Sequence, residues 1–123
     1  MLFLLQFRGD TTSFVGEEAD FDCNGNGVLA RDGCIYAAKN DGEVLKIDTI
    51  NNSHCIFGST VKSNLSGFGW HDGILGIDGC IYWPPYYAAQ ILKYDPHLSL
   101  TSLVGDDLGP YHINKWSGGC AAR

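Results

Sequence analysis

The sequence predicts an all-β chain built from tandem four-stranded antiparallel units, and three observations carry that expectation. Sixteen of its 123 residues are Gly, without a collagen period or a low-complexity run, which marks many tight turns between short elements. The apolar runs are short stretches of Val, Ile, Leu, Tyr or Phe, about four to six residues each, which suits a strand and is too short for an ordinary helix. The chain also repeats itself: Gly27-Val28-Leu29-Ala30-Arg31-Asp32-Gly33-Cys34-Ile35-Tyr36 lies over Gly73-Ile74-Leu75-Gly76-Ile77-Asp78-Gly79-Cys80-Ile81-Tyr82, at an offset of about 46 residues.

Each repeat carries four apolar runs, labelled A to D in chain order. Run A ends at Asp32-Gly33 or Asp78-Gly79, a pair that predicts a two-residue type I′ hairpin because both central residues then need positive φ. Ile35-Tyr36 and Ile81-Tyr82 open run B. The link to run C holds Asn40-Asp41-Gly42 in one repeat and Pro84-Pro85-Tyr86-Tyr87 in the other. Val44 to Asp48 and Ile91 to Asp95 form run C, and Cys55-Ile56-Phe57-Gly58 and Ser102-Leu103-Val104-Gly105 close the repeat as run D. The ends keep the register: Leu4 to Phe7 and Ser13 to Gly16 match runs C and D, and Trp116 to Arg123 matches run A.

Four antiparallel strands in about 46 residues is the size of one blade of a β-propeller. The expected division is therefore 1–16, runs C and D of a preceding blade; 17–58, a blade; 59–105, a blade; and 106–123, the start of the next. Such an incomplete β-propeller leaves strand edges open, and open edges template association. Further propeller repeats or self-association at those edges are expected partners.

Apolar strand, Asp-Gly turn, Ile-Tyr, then a strand ending in Lys93-Tyr94-Asp95-Pro96: this pattern resembles the kelch-type β-propeller repeats over nearly the whole chain. The glycine doublet of that family after the Ile-Tyr strand is replaced here by Ala37-Ala38 and by Trp83-Pro84, and its tryptophan in the last strand is missing. The Trp116-Ser117-Gly118-Gly119 and Asp-Gly-Cys-Ile-Tyr strings are also similar to propeller repeats in predicted algal and protist proteins. The resemblance implies a propeller and carries no chemistry by itself.

A net charge of −6 and only 8 Lys and Arg speak against nucleic acid, whose phosphates need clustered cations. Met1 to Leu5 is apolar but meets Gln6 and Arg8 too soon for a signal peptide or a membrane span. None of Cys23, Cys34, Cys55, Cys80 and Cys120 forms a CxxC pair, so neither a sulfur-bound metal nor another cofactor is expected. Cys34 and Cys80 recur in register and read as buried strand residues, which fits a reducing intracellular compartment. Asn51-Asn52-Ser53 and Asn64-Leu65-Ser66 match the short glycosylation pattern.

Chemistry, if present, belongs on the face of the B–C and D–A connections, which a four-strand meander places together. There the sequence gathers Trp70, His71, Trp83, Tyr86, Tyr87 and Trp116. Trp and Tyr supply rigid amphipathic area and dominate interface energetics. Trp70 and Trp116 recur in register, which favours packing, whereas Trp83, Tyr86 and Tyr87 belong to one repeat only and are expected to be partly exposed and to bind. An imidazole beside a carboxylate, His71-Asp72, has the parts of a general base, but adjacent strand residues point apart and a solvated loop pair is the favoured expectation. Glu17-Glu18 and Asp106-Asp107 fall at the same repeat position and read as loop charges. Asn24, Trp70 and Trp116 stand at the start of run A, a mixed set that does not favour a metal ring. No GxSxG, HExxH, P-loop or Rossmann pattern occurs. The expected function is a non-enzymatic propeller module that binds a protein partner; the alternative is a carbohydrate-binding or lactonase- or oxidase-type propeller using the same aromatics.

Overall fold

The computed structural model describes residues 6–8, 11–13, 23, 25–58, 69–109, 115–116 and 118–122. Met1 to Leu5, Phe14 to Gly16, Glu17-Glu18, Asn24, Asn64 to Ser66 and Ser117, which carry several of the expectations above, lie outside them. The described residues form ten strands and no helix. Strands β1 (Gln6–Arg8) and β2 (Thr11–Ser13) pair antiparallel as a small sheet. A first four-stranded sheet contains β3 (Val28–Leu29), β4 (Ile35–Ala38), β5 (Val44–Asp48) and β6 (Ser53–Phe57). A second contains β7 (Ile74–Leu75), β8 (Ile81–Trp83), β9 (Ile91–Asp95) and β10 (Leu100–Val104). In both, each strand pairs antiparallel with the next in sequence, so each sheet is a meander.

The two registers coincide residue by residue. Val28 faces Tyr36 and Leu29 faces Ile35, as Ile74 faces Tyr82 and Leu75 faces Ile81. The A–B connection is nevertheless not the two-residue type I′ hairpin expected from Asp-Gly. Only the glycines take positive φ, +80° at Gly33 and +83° at Gly79. The Gly33 amide donates to the Ala30 carbonyl at 3.1 Å and the Ala30 amide to that of Cys34 at 2.9 Å, which makes a three-residue loop, a type I turn closed by a left-handed glycine. The aspartate decides between the two. Its carboxylate accepts from the amide two residues on, Cys34 at 3.0 Å and Cys80 at 3.1 Å, a local bond that holds Asp at ordinary negative φ.

A second aspartate organises each C–D turn. Asp48 Oδ1 accepts from the Ile50 and Asn51 amides at 2.9 and 3.0 Å, and Asp95 Oδ1 from His97 and Leu98 at 2.9 and 3.3 Å. The B–C links diverge. In the first sheet the Gly42 amide donates to Lys39 and the Lys39 amide to Glu43, and the Lys39 ammonium bridges Asp41 and Glu43. In the second, Pro84 to Gln90 make a longer connection with no strand of its own.

The core lies between the two sheets. Val28, Tyr36, Ala38 and Val44 of the first and Ile81, Trp83, Leu92 and Tyr94 of the second belong to one buried cluster, with Phe57 and Leu75 packed against it. Alternation along β9 puts every second residue inward, as a half-buried strand requires, whereas β4 is buried at three consecutive positions, Tyr36, Ala37 and Ala38. Each fully buried Val, Leu or Ile contributes roughly 1.5–3 kcal/mol. Cys34 and Cys80 are buried as expected, and burial pushes both thiols above the ordinary value, away from the reactive thiolate.

Candidate functional site

The B–C link of the second repeat is held on both sides. The Tyr86 and Ala88 amides each donate to the Gly69 carbonyl at 3.0 Å, and the Lys115 amide donates to the Tyr86 carbonyl at 3.0 Å. Trp116 follows, its amide 3.3 Å from the Pro85 carbonyl. The Lys115 ammonium donates to the Ala88 carbonyl at 3.0 Å. This link therefore ties Gly69 to Lys115 and Trp116.

The three tryptophans have three different roles. Trp70 is 2% exposed and its Nε1 donates to the Gln90 carbonyl at 2.9 Å, so it closes the base of the link. Trp83, expected to be partly exposed, is instead 0% exposed. It sits on an interior strand where the first repeat has Ala37, and its ring fills the space that Gly73 leaves open beside Val28. Its Nε1 has no hydrogen-bond acceptor among the described residues. Trp116 is 48% exposed and walls a cleft of about 370 Å³ with Pro84, Pro85, Ile91, Leu108 and Gly118.

His71, Tyr86 and Tyr87 are half-buried and stacked in series, with ring centroids 5.6 Å apart for His71–Tyr86 and 4.8 Å for Tyr86–Tyr87. Both pairs are tilted, an arrangement that aromatic quadrupoles favour. Part of this row is accessible, and it has no counterpart in the first repeat, where Asn40 to Glu43 occupy the link. His71 Nδ1 lies 3.2 Å from Asp72 Oδ1 without hydrogen-bond alignment. Asp72 is more than the solvated loop charge expected from sequence. Its Oδ1 accepts from the Asn26 amide at 2.8 Å while Asn26 Oδ1 accepts from the Gly73 amide at 3.1 Å, so equivalent positions of two repeats clasp each other. Asp106 and Asp107 are exposed, and Asp107 accepts from the Gly109 amide at 2.9 Å.

A repeated polar constellation escaped the reading of the sequence. Asp32 Oδ2 accepts from the Tyr36 hydroxyl at 2.6 Å, with Lys46 Nζ 3.5 Å away and over the Tyr36 ring. Asp78 does the same with Tyr82 at 2.7 Å, and Lys93 at 4.0 Å lies over the Tyr82 ring. Burial alone would raise Asp32, but Tyr36, the Cys34 amide and Lys46 outweigh it and hold the carboxyl below its ordinary value. At Asp78 the Tyr82 hydroxyl leads the same downward shift. Burial, then the bond to Asp32, pushes the Tyr36 hydroxyl far up. The signal was present in sequence as Asp-x-x-x-Tyr followed by Lys in run C of both repeats. A constellation that recurs with the repeat fastens turn to strand and reads as structure.

Among the described residues no group of three or more His, Cys, Asp or Glu is placed to hold a metal ion, and no helix is long and apolar enough to cross a membrane. No protein-family model matches the sequence, and no curated protein matches it.

Proposed function

We propose that the two meanders are blades of a kelch-like β-propeller acting as a non-enzymatic interaction module, with a protein partner captured on the face of the B–C and D–A connections. The blade reading draws support from the coincident registers and from the closeness of the two first strands, β3 and β7, since propeller blades meet along their first strands. The single observation that carries the binding reading is the half-buried His71–Tyr86–Tyr87 row. It departs from the repeat where nearly everything else obeys it. Aromatic rings of this kind give large contact area at little entropy cost.

The test is selection of random twelve-residue peptides on the immobilised chain, run beside a glycan array, with Tyr86→Ser/Tyr87→Ser as the comparison. Capture of peptides that the double variant binds at least tenfold more weakly, at an unchanged fold, is the expected result. Retention of glycans with no peptide captured would overturn it and favour the carbohydrate-binding or lactonase- or oxidase-type reading.

A further inference from the structure

One face of the second sheet repeats a face that the first sheet has covered. In the first sheet the register places Val28, Tyr36, Ala38, Val44 and Phe57 on one side. The first four of these are buried. What covers them is the opposite side of the second sheet: the Tyr94 ring stands 5.2 Å from Tyr36 and 6.3 Å from Phe57, and Ile81, Trp83 and Leu92 complete the cluster. The same register places Ile74, Tyr82, Pro84, Ile91 and Val104 at the equivalent positions of the second sheet. All five are only half-buried, and the cleft walled by Trp116 opens over Pro84 and Ile91.

We infer that this face is the seat of a third four-stranded unit of the same repeat, set in register with Trp116–Ala122 and presenting bulky rings where the second repeat has Trp83 and Tyr94. The interface is continuous with one already formed. The start of that unit is also in place: the Trp116 amide meets the Pro85 carbonyl at 3.3 Å, Gly118 lies beside Asp72, and Gly119 lies against Ile74 and Pro84. Asp72 thus stands to Gly118 as Asn26 stands to Asp72. The 370 Å³ cleft is then a seam between units and not a pocket for a small ligand. This inference rests on the blade reading above.

The chain's own sequence supplies the test. Asp78 to Gly109, appended after Arg123, would complete a third repeat, because Arg123 aligns with Ile77. In repeat arrays the nearest-neighbour interface adds directly to stability. The extended chain is expected to unfold in one transition with a thermal midpoint at least about 5 °C above that of the 123-residue chain. Changing the appended copies of Trp83 and Tyr94 to Ser should erase the gain. Ile91→Glu should also erase it in the extended chain, yet shift the midpoint of the unextended chain by only about 1–2 °C. An unchanged midpoint, with the appended segment unfolding separately, would overturn the inference. So would a dimer of the unextended chain that buries Ile91 and matches the extended chain in stability, since a second copy would then be the occupant. Either result would leave the Tyr86–Tyr87 binding surface standing, because peptide capture is read on the unextended chain.

Discussion

The first and second repeats hold the same A–B and C–D turns, the same strand register and the same Asp-Tyr-Lys fastening, yet they treat equivalent side chains differently. Tyr36 is buried and Tyr82 is half-exposed, although both donate to the aspartate four residues before them. Ala37 and Trp83 share a position, and so do the compact Lys39–Glu43 hairpin and the aromatic link from Pro85 to Gln90. The comparison separates two kinds of residue. Those that recur build the sheet, and what surrounds them depends on which neighbouring sheet is present. Those that do not recur either fill a particular seam, as Trp83 does, or line the candidate surface, as Tyr86 and Tyr87 do.

The largest expected effect breaks the symmetry of the tyrosines. Tyr36→Ala should cost about 3–5 kcal/mol, the range for removing a large buried ring, whereas Tyr82→Ala should cost less than half as much. Urea unfolding of the two variants measures the difference, and equal costs would mean that the second sheet's face is already covered.

Acid stability sharpens the same comparison. Asp32 and Asp78 both sit below their ordinary value of 3.8. A carboxylate whose folded pKa is depressed contributes stability that is present above the unfolded value and lost as pH falls through the folded one. The contribution of these two carboxylates should therefore be constant from pH 7 to about 5 and be lost below about 4. Asp32→Asn and Asp78→Asn should each flatten that acid limb, as read from thermal midpoints at stepped pH, and an unaltered limb in both variants would contradict the fastening role.

A smaller effect distinguishes the two buried tryptophans. Trp70→Phe removes the bond to the Gln90 carbonyl, whereas Trp83→Phe removes an N–H that has no acceptor among the described residues. The ring truncation is the same in both, so Trp70→Phe should be the costlier by about 1 kcal/mol. Smallest of all should be the stability effect of Tyr86→Ser/Tyr87→Ser, within about 1 kcal/mol of the parent, while partner capture falls.

Much of the fold was legible because it is local and repeated. Asp-Gly and Ile-Tyr recur at an offset of 46 residues and Lys-x-Asp at 47, and short-range turn chemistry then dictates a meander. The turn type was misread because Asp-Gly fits both a type I′ hairpin and a type I turn closed by glycine. The choice rests on a side-chain bond to Cys34 or Cys80, which a dipeptide signal does not carry. Trp83 was misplaced for a different reason. Its burial depends on Gly73, just before β7, and on Val28 of the other sheet, and no pattern within run B announces them. Absence from the companion repeat groups Trp83 with Tyr86 and Tyr87, although Trp83 is buried and the two tyrosines are half-buried, so it does not distinguish a surface aromatic from one that plugs a seam.

If the recurring residues build the scaffold, the unrepeated link of the second repeat is what receives the partner. Titrating a selected peptide into the ¹⁵N-labelled chain and following the amide and indole resonances tests it most directly. Shifts are expected at His71, Tyr86 and Tyr87, with silence at the equivalent Lys39–Glu43 hairpin of the first repeat. Shifts of equal size at Lys39–Glu43, or centred on the Asp32 and Asp78 turns, would contradict it.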